Sequence, residues 1–326
     1  MMELSIVSTL YCSAPYLESF YQRVRNSAAS LQQSFEIVLV NDGSPDASLE
    51  IALRLQLQDA RIRIIDLSRN FGHHQAMMTG LMHARGEMVF LIDSDLEEDP
   101  ELLEIFYQKF RATRADVVYG VQERRKGGLF ERLSGAIFFK AFNALSSHPL
   151  PRNLVTARLM TRKYVDALVR HQERETLIAG LWVLTGFDQV SLTVTKSSKR
   201  RSSYSLRKRI AHFVNAITSF TSKPLVFIFY LGCFILLLST IAAIDLILRK
   251  LLFGTLLAGW ASLMVSIWLL GGLTIFCLGV IGIYLSKVFI EVKQRPYTVI
   301  KQIYEVPGSG TDRQREEFQT DRQVFR

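Results

Sequence analysis

The segment "VFLIDSDLEEDPE", residues 89–101, sets an apolar run directly against six carboxylates in nine positions. Asp93 and Asp95 stand two apart, and in an extended segment such residues project to one side, so both can offer oxygens to one centre. A hard divalent cation such as Mg²⁺ or Mn²⁺ takes oxygen ligands and shares them with substrate phosphates. The same spacing also fits surface acids ahead of a helix. Glu97, Glu98, Asp99 and Glu101 suit a first helical turn around Pro100, where negative charge offsets the helix dipole. The expected division gives Asp93 and Asp95 to a metal and the later acids to the helix start, with Glu97 a candidate third metal contact.

A second polar cluster, Asn41, Asp42, Gly43 and Ser44, ends the apolar run in "VLVNDGS". The elements needed to position both clusters alternate along the first half of the chain. Leu4 to Thr9, Phe35 to Val40, Ile62 to Leu67, Met88 to Ile92 and Asp116 to Tyr119 read as strands. Pro15 to Ser30, Asp46 to Gln58, His74 to Ala84 and Pro100 to Thr113 carry helical spacing, with Ser44 or Asp46 as N-cap. Runs such as "EIVLV" and "MVFLI" are apolar on both faces, as in a sheet covered by helices on both sides. The expected fold class is α/β, a mostly parallel Rossmann-like sheet flanked by helices. Open sheets of this kind bind ligands beyond the carboxyl ends of their strands, where both polar clusters fall.

Residues 121–195 are less patterned, and "LWVLTGFDQVSLTVT" reads as β-rich sequence returning to the sheet. From Lys196 to Arg209 there are seven basic side chains and no acidic one, within a 326-residue chain of net charge +9. That concentration suits phosphate or a lipid surface, and no nucleic-acid partner is expected. Leu206, Ile210, Phe213, Ile217 and Phe220 then form one apolar helical stripe. Two readings stand: a basic amphipathic helix at the lipid surface, or a helix packed on the catalytic domain.

Leu225 to Leu248 holds one charge, Asp245, and Leu251 to Ser286 holds none. At about 1.5 Å per residue, either stretch is long enough for a hydrocarbon core of about 30 Å, so two transmembrane helices are expected. Asp245, four residues before Arg249, suits an interfacial ion pair. Basic residues before the first span and at Lys287, Lys293, Arg295 and Lys301 place the catalytic domain and both termini in the cytoplasm; Arg249 and Lys250 oppose this weakly. The expectation is a multi-pass protein of the cell membrane without a signal peptide. Its expected parts are a catalytic domain at 1–200, an interfacial helix at 201–223, a membrane domain at 224–288 and a cytoplasmic tail at 289–326, disordered after Val306. Cys12, Cys233 and Cys277 lack metal spacing, and neither a disulfide nor a zinc site is expected. Glycines at 271, 272, 279 and 282 permit close helix packing and hence a homo-oligomer.

The stretches "LSIVSTLY", "EIVLVNDGSPDAS", "IRIIDLSRNFGHHQAMMTGLMHARGEMVFLIDSDLEEDPELL" and "SSYSLRKR", followed by two spans, resemble family 2 glycosyltransferases of GT-A fold. Within that family they are similar to the polyisoprenyl-phosphate hexosyltransferases, which include bactoprenol glucosyltransferases and dolichol-phosphate mannose synthases. The resemblance covers residues 4 to about 290. It implies that Asp42 holds the uracil or ribose of a nucleotide sugar, and that Arg69, Asn70, Gly72 and Gln75 shape the donor pocket. It implies that Asp93 and Asp95 bind metal and diphosphate, with Asp93 nearer the nucleotide. Arg201, Ser203 and Tyr204 would close over the phosphates. The implied reaction is inverting transfer of a hexose, with glucose from UDP-glucose as the expected donor, to a polyprenyl phosphate. The product would pass to a separate flippase and a later transferase.

Several positions depart from the family pattern. Thr9, Leu10, Tyr11, Cys12 and Ser13 replace a Pro-x-Tyr-Asn-Glu run, Glu97 stands where glutamine is common, and Val155, Thr156, Ala157 and Arg158 replace Gly-Asp-Phe-Arg. The basic loop lacks its usual glycine. Thr156 removes an aspartate that could act as a base. A lipid phosphate monoester, with a second pKa near about 6, is largely dianionic at neutral pH and attacks without losing a proton. Alignment and charge relief are what it needs, and Arg158, Arg201 and Lys208 are candidates for acceptor contact. His73 and His74 read as a polar cap or donor contact rather than metal ligands. Met77, Met78 and Met82 read as helix packing, and Trp182 as core in preference to a sugar-stacking ring. Two alternatives remain. A processive polysaccharide synthase would ordinarily show Q-x-x-R-W and more spans. A membrane-anchored nucleotide-sugar sensor would keep the fold without turnover.

Overall fold

The computed structural model describes residues 2–122, 151, 153–173, 178–195, 223–253 and 259–306. The basic segment with Arg201, Ser203, Tyr204 and Lys208, the amphipathic stripe and the tail after Val306 lie outside these residues.

In chain order the first elements are β1 (Leu4–Leu10), α1 (Leu17–Ser30), β2 (Phe35–Asn41), α2 (Ser48–Gln58), β3 (Ile62–Leu67) and α3 (His73–His83). Next come β4 (Met88–Leu91), α4 (Leu102–Thr113), β5 (Val117–Gln122), β6 (Leu154–Thr161), α5 (Arg162–Leu168), α6 (Ile178–Leu184) and β7 (Gln189–Val194). The last are α7 (Lys223–Phe253), α8 (Trp260–Val292) and β8 (Ile300–Tyr304).

Eight strands form one sheet in the order β7-β5-β6-β4-β1-β2-β3-β8. β1 runs parallel to β2 and β4, β2 to β3, and β5 to β7. Every residue of β1, β2 and β3 is buried, as expected when helices cover both faces. Leu17 and Phe20 of α1, Leu55 of α2 and Phe106 of α4 pack against Leu4, Ile6 and Leu39 on one face. Met77, Met78 and Leu81 of α3, Val165 of α5 and Trp182 of α6 pack against Val7, Val38 and Ile65 on the other. Met77, Met78 and Trp182 are thus core residues.

Three features were not anticipated. The sheet is mixed, because β6 runs antiparallel to β4 and β5, and β8 antiparallel to β3. Leu181–Leu184 is helical and only the later part of its segment is a strand, since Ile178, Leu181 and Trp182 bury one helical face. Residues 300–304, expected in a tail, complete the edge of the sheet. Ser68 N–H donates to Val299 O, Gln56 donates to Tyr304 O, and Glu305 pairs with Arg63 and Arg85.

α7 and α8 belong to a second compact unit. Among the described residues, Ser266–Val292 within α8 is the one stretch long and apolar enough to cross a membrane, and its apolar window is unburied. Lys223–Ile235, at the start of α7, is a shorter apolar stretch.

Candidate active site

The parallel strands β1, β2 and β4 end on one side of the sheet, and antiparallel β6 begins there. Register carries this through: Leu10 lies beside Asn41, and Leu91 beside Arg158. Residues 9–13, 41–46, 69–75, 92–98 and 154–158 therefore meet at one rim.

Two turns interlock at the end of β2. Gly43 has φ +57, and a Cβ there would lie 2.5 Å from Arg69 C and Asn70 N. Only glycine allows that approach without a shift of backbone. Asp42, 2% exposed, accepts the Phe71 N–H at 2.7 Å on Oδ1 and the Gly72 N–H at 3.1 Å on Oδ2. The Asn70 side chain donates to Asp42 O. Burial pushes the Asp42 carboxyl above the usual range, and the two N–H bonds with His73 and Arg69 offset this only in part. Each carboxylate oxygen has a second lone pair for a further donor. Gly72, at φ +109, has Gln75 Oε1 2.9 Å from where a Cβ would sit. Arg69 is exposed and stacks over Phe71, 3.9 Å from the ring centroid.

β4 ends at Leu91, so Asp93 and Asp95 stand on a turn rather than on the extended pleat assumed from their spacing. The turn is shaped by Leu96 at φ 58 and by Asp95 Oδ1, which accepts the Glu97 N–H at 2.9 Å. Asp93 Oδ2 accepts the Thr156 hydroxyl at 2.8 Å, and its Oδ1 lies 3.3 Å from His73 Nε2. His73 Nδ1 lies 3.0 Å from Thr9 Oγ1. Burial would lower the His73 pKa, but Asp93, with Asp42 and Asp95 behind it, outweighs burial and raises it. The imidazole thus bridges Thr9 of β1 and Asp93 past the end of β4.

Among the described residues, no three His, Cys, Asp or Glu side chains cluster as a cation cage. Two neighbouring carboxylates leave most coordination positions to water and substrate oxygens, the usual arrangement of Mg²⁺ beside phosphates. The donor set at Asp93 and Asp95 fits such a cation.

Of the later acids, Asp99 and Glu101 pair with Arg23 of α1, and Glu98 turns inward instead. Glu98 is fully buried and accepts the N–H groups of Thr156 and Ala157 at 3.0 and 2.7 Å. Arg158, considered for acceptor contact, is 1% exposed, with its guanidinium over the Trp182 ring. Burial pulls its pKa down to about 9 against the opposing effects of Tyr164, Glu98 and Tyr119.

Sequence reasoning missed a hydroxyl network that joins the strand ends. Ser94 donates to Thr9 O and meets Ser13 Oγ at 2.9 Å; the Cys12 N–H donates to Ser44 Oγ. Asp46 accepts from Ala14 N, Ser44 Oγ, and Ser48 N and Oγ. The residue at the N-cap of α2 is Ala47, so Asp46 supplies the cap bond from one position earlier. The available signal was the density of Ser and Asp just past three apolar runs.

Residues 5–169 match the family Glycosyl transferase family 2. "Putative glycosyltransferases" of Mycobacterium tuberculosis is 55% identical over 303 residues, 93% of this chain and 89% of that one. The "SfII prophage-derived bactoprenol glucosyl transferase" of Shigella flexneri is 31% identical, covering 92% and 98% of the two chains. Among solved structures, a mannosyltransferase from Pyrobaculum calidifontis in complex with GDP-Man and Mn²⁺ aligns with TM-score 0.45 and 16% identity over 66% of this chain and 62% of that one.

Proposed function

Because the chain belongs to glycosyl transferase family 2 and is a glycosyltransferase, we propose that it transfers a hexose, glucose from UDP-glucose, to a polyprenyl phosphate at the cytoplasmic membrane face. The observation that carries this reading is the placement of the Asp42 turn at the carboxyl end of β2 and of Asp93, held between His73 and Thr156, just past the carboxyl end of β4. The lipid acceptor is supported by a relative named for bactoprenol glucosyl transfer that matches over nearly its whole length.

In the proposed reaction, a phosphate oxygen of the lipid attacks the anomeric carbon. The bond from that carbon to the donor diphosphate breaks, UDP leaves with the electron pair, and the configuration inverts. The Asp42 turn and the residues Arg69, Asn70, Gly72 and Gln75 hold the nucleoside. Asp93 and Asp95 hold a divalent cation, Mg²⁺ or Mn²⁺, which when bound offsets the charge growing on the leaving diphosphate. The acceptor needs no base, so threonine at 156 is compatible with turnover. Arg201, Ser203, Tyr204 and Lys208 are assigned to the acceptor and diphosphate.

The path of the chain supports a two-span anchor. It leaves the catalytic sheet after β7 and rejoins it at β8, with α7 and α8 between. A segment that departs from and returns to one sheet crosses a bilayer an even number of times. If α8 spans, another segment spans too, and α7 is the apolar helix available for it.

The test incubates detergent-purified full-length protein with polyprenyl phosphate, Mg²⁺ or Mn²⁺, and radiolabelled UDP-glucose, UDP-galactose, UDP-N-acetylglucosamine or GDP-mannose in turn. Label extracted into lipid from UDP-glucose is the expected result. No labelled lipid from any donor overturns the proposal, and label from another donor corrects the sugar.

A further inference from the structure

Every polar group of Thr156 is engaged at the edge of the site. Its N–H donates to Glu98 Oε1 at 3.0 Å, its carbonyl accepts the Arg158 Nε at 3.3 Å, and its hydroxyl donates to Asp93 Oδ2 at 2.8 Å. Glu98 and Arg158, on either side, are 0% and 1% exposed. Burying a carboxylate or a guanidinium is costly unless it is hydrogen-bonded, and here both are bonded to the backbone of β6. What these bonds supply is a fixed geometry for the first residues of β6.

We propose that Thr156 is a positioning residue for the cation site, and that Glu98 and Arg158 hold it there. The proposal rests on the reading of Asp93 as a cation ligand. The threonine side chain is stiff at χ1, so a fixed backbone fixes the hydroxyl as well. A hydroxyl donor to Oδ2 limits rotation of the Asp93 carboxylate before a cation arrives. An aspartate at 156 could not do this, because an ionised carboxylate has no hydrogen to donate and would repel Asp93. Thr156 thus turns a departure from the family pattern into a neutral orienting contact.

Mn²⁺ binding in the presence of UDP, followed by electron paramagnetic resonance on the full-length protein, tests this apart from turnover. Thr156→Val, which keeps the shape and removes the donor, is expected to weaken Mn²⁺ affinity about tenfold, the lower end for losing an outer partner of a metal ligand. Thr156→Ser restores the donor and is expected to stay within about threefold of the parent protein. Thr156→Ala, expected to match Thr156→Val, carries the test if the valine variant fails to fold. Asp93→Ala separates the two levels of the argument. If Asp93→Ala loses Mn²⁺ and the valine and alanine variants bind like the parent, the positioning role is overturned and the cation reading stands. If Asp93→Ala binds Mn²⁺ normally, both fall.

Discussion

Lys301 Nζ lies 3.5 Å from Asp66 Oδ2, and the other oxygen of Asp66 accepts the Asn41 side-chain amide at 2.7 Å. Asn41 Oδ1 in turn accepts the Ser44 N–H, so the strand that follows α8 is linked through Asp66 to the turn at the end of β2. Lys301 is 65% exposed and adds little, whereas the Asp66 side chain is 3% exposed. Asp66→Ala leaves a buried amide without its acceptor, at a cost of about 1–3 kcal/mol. The expected outcome is a lower Tm together with weaker UDP binding by calorimetry. A variant that loses stability but binds UDP like the parent would show that Asp66 serves the sheet alone.

Glu305 closes the same edge. Its carboxylate lies 3.2 Å from Arg63 Nε and 2.9 Å from Arg85, and the Arg63 side chain is only 10% exposed. Burial already lowers the Arg63 pKa, with Arg85 adding to the effect. Glu305→Ala leaves that guanidinium without its carboxylate and is expected to cost about 2 kcal/mol, below the full figure for a buried pair because the site is partly open. Thermal unfolding reads this. Glu305→Gln, which keeps an acceptor, should recover roughly half of the loss.

The central sheet and the DSD and NDGS clusters were legible because fully buried parallel strands write continuous apolar runs, and polar residues just past them can only lie at the rim. β8 was not, because IKQIY is a short edge strand with no fully buried residue and its partner β3 lies more than 200 residues away. The inward turn of Glu98 was hidden for a different reason. Acids ahead of a helix have an adequate local explanation in the dipole, and only the placement of β6 shows that one of the four reaches across to Thr156 and Ala157. Thr156 itself looked like a loss relative to the family, since its donor bond to Asp93 is visible only in three dimensions.

Asp46 makes a pH prediction. Burial would raise its carboxyl, but the hydroxyls of Ser44 and Ser48 and the N–H groups of Ala14 and Ser48 outweigh burial and lower it to about 2. A depressed carboxylate stabilises the fold above its unfolded value, about 4, and loses that contribution as pH falls through the folded value. Asp46→Ala should therefore cost about 1 kcal/mol at pH 7, the full linkage value being reduced by solvent screening at this open site. The gap between variant and parent should close between about pH 4 and pH 2 in thermal melts. A constant gap across that window would assign the effect to lost packing rather than to charge.

Asp95 offers the sharpest test of the chemistry, because its contact within the turn is small relative to its proposed task. The Glu97 N–H at 2.9 Å is a local turn bond, and losing it costs about 1 kcal/mol of stability. Stabilising charge on a departing diphosphate is worth several kcal/mol, so Asp95→Ala should lower kcat by ~10²–10³-fold while the protein stays folded. Asp95→Asn should be nearly as slow, since an amide keeps the size and the turn bond but loses the charge. The assay is labelled lipid formed per minute with saturating Mg²⁺ or Mn²⁺, with circular dichroism reporting the fold. Chelation of the parent protein should abolish turnover, and added Mn²⁺ or Mg²⁺ should restore it. The cation cannot act through Asp95 if the alanine variant turns over at near-parental rates, or if the chelated parent stays active.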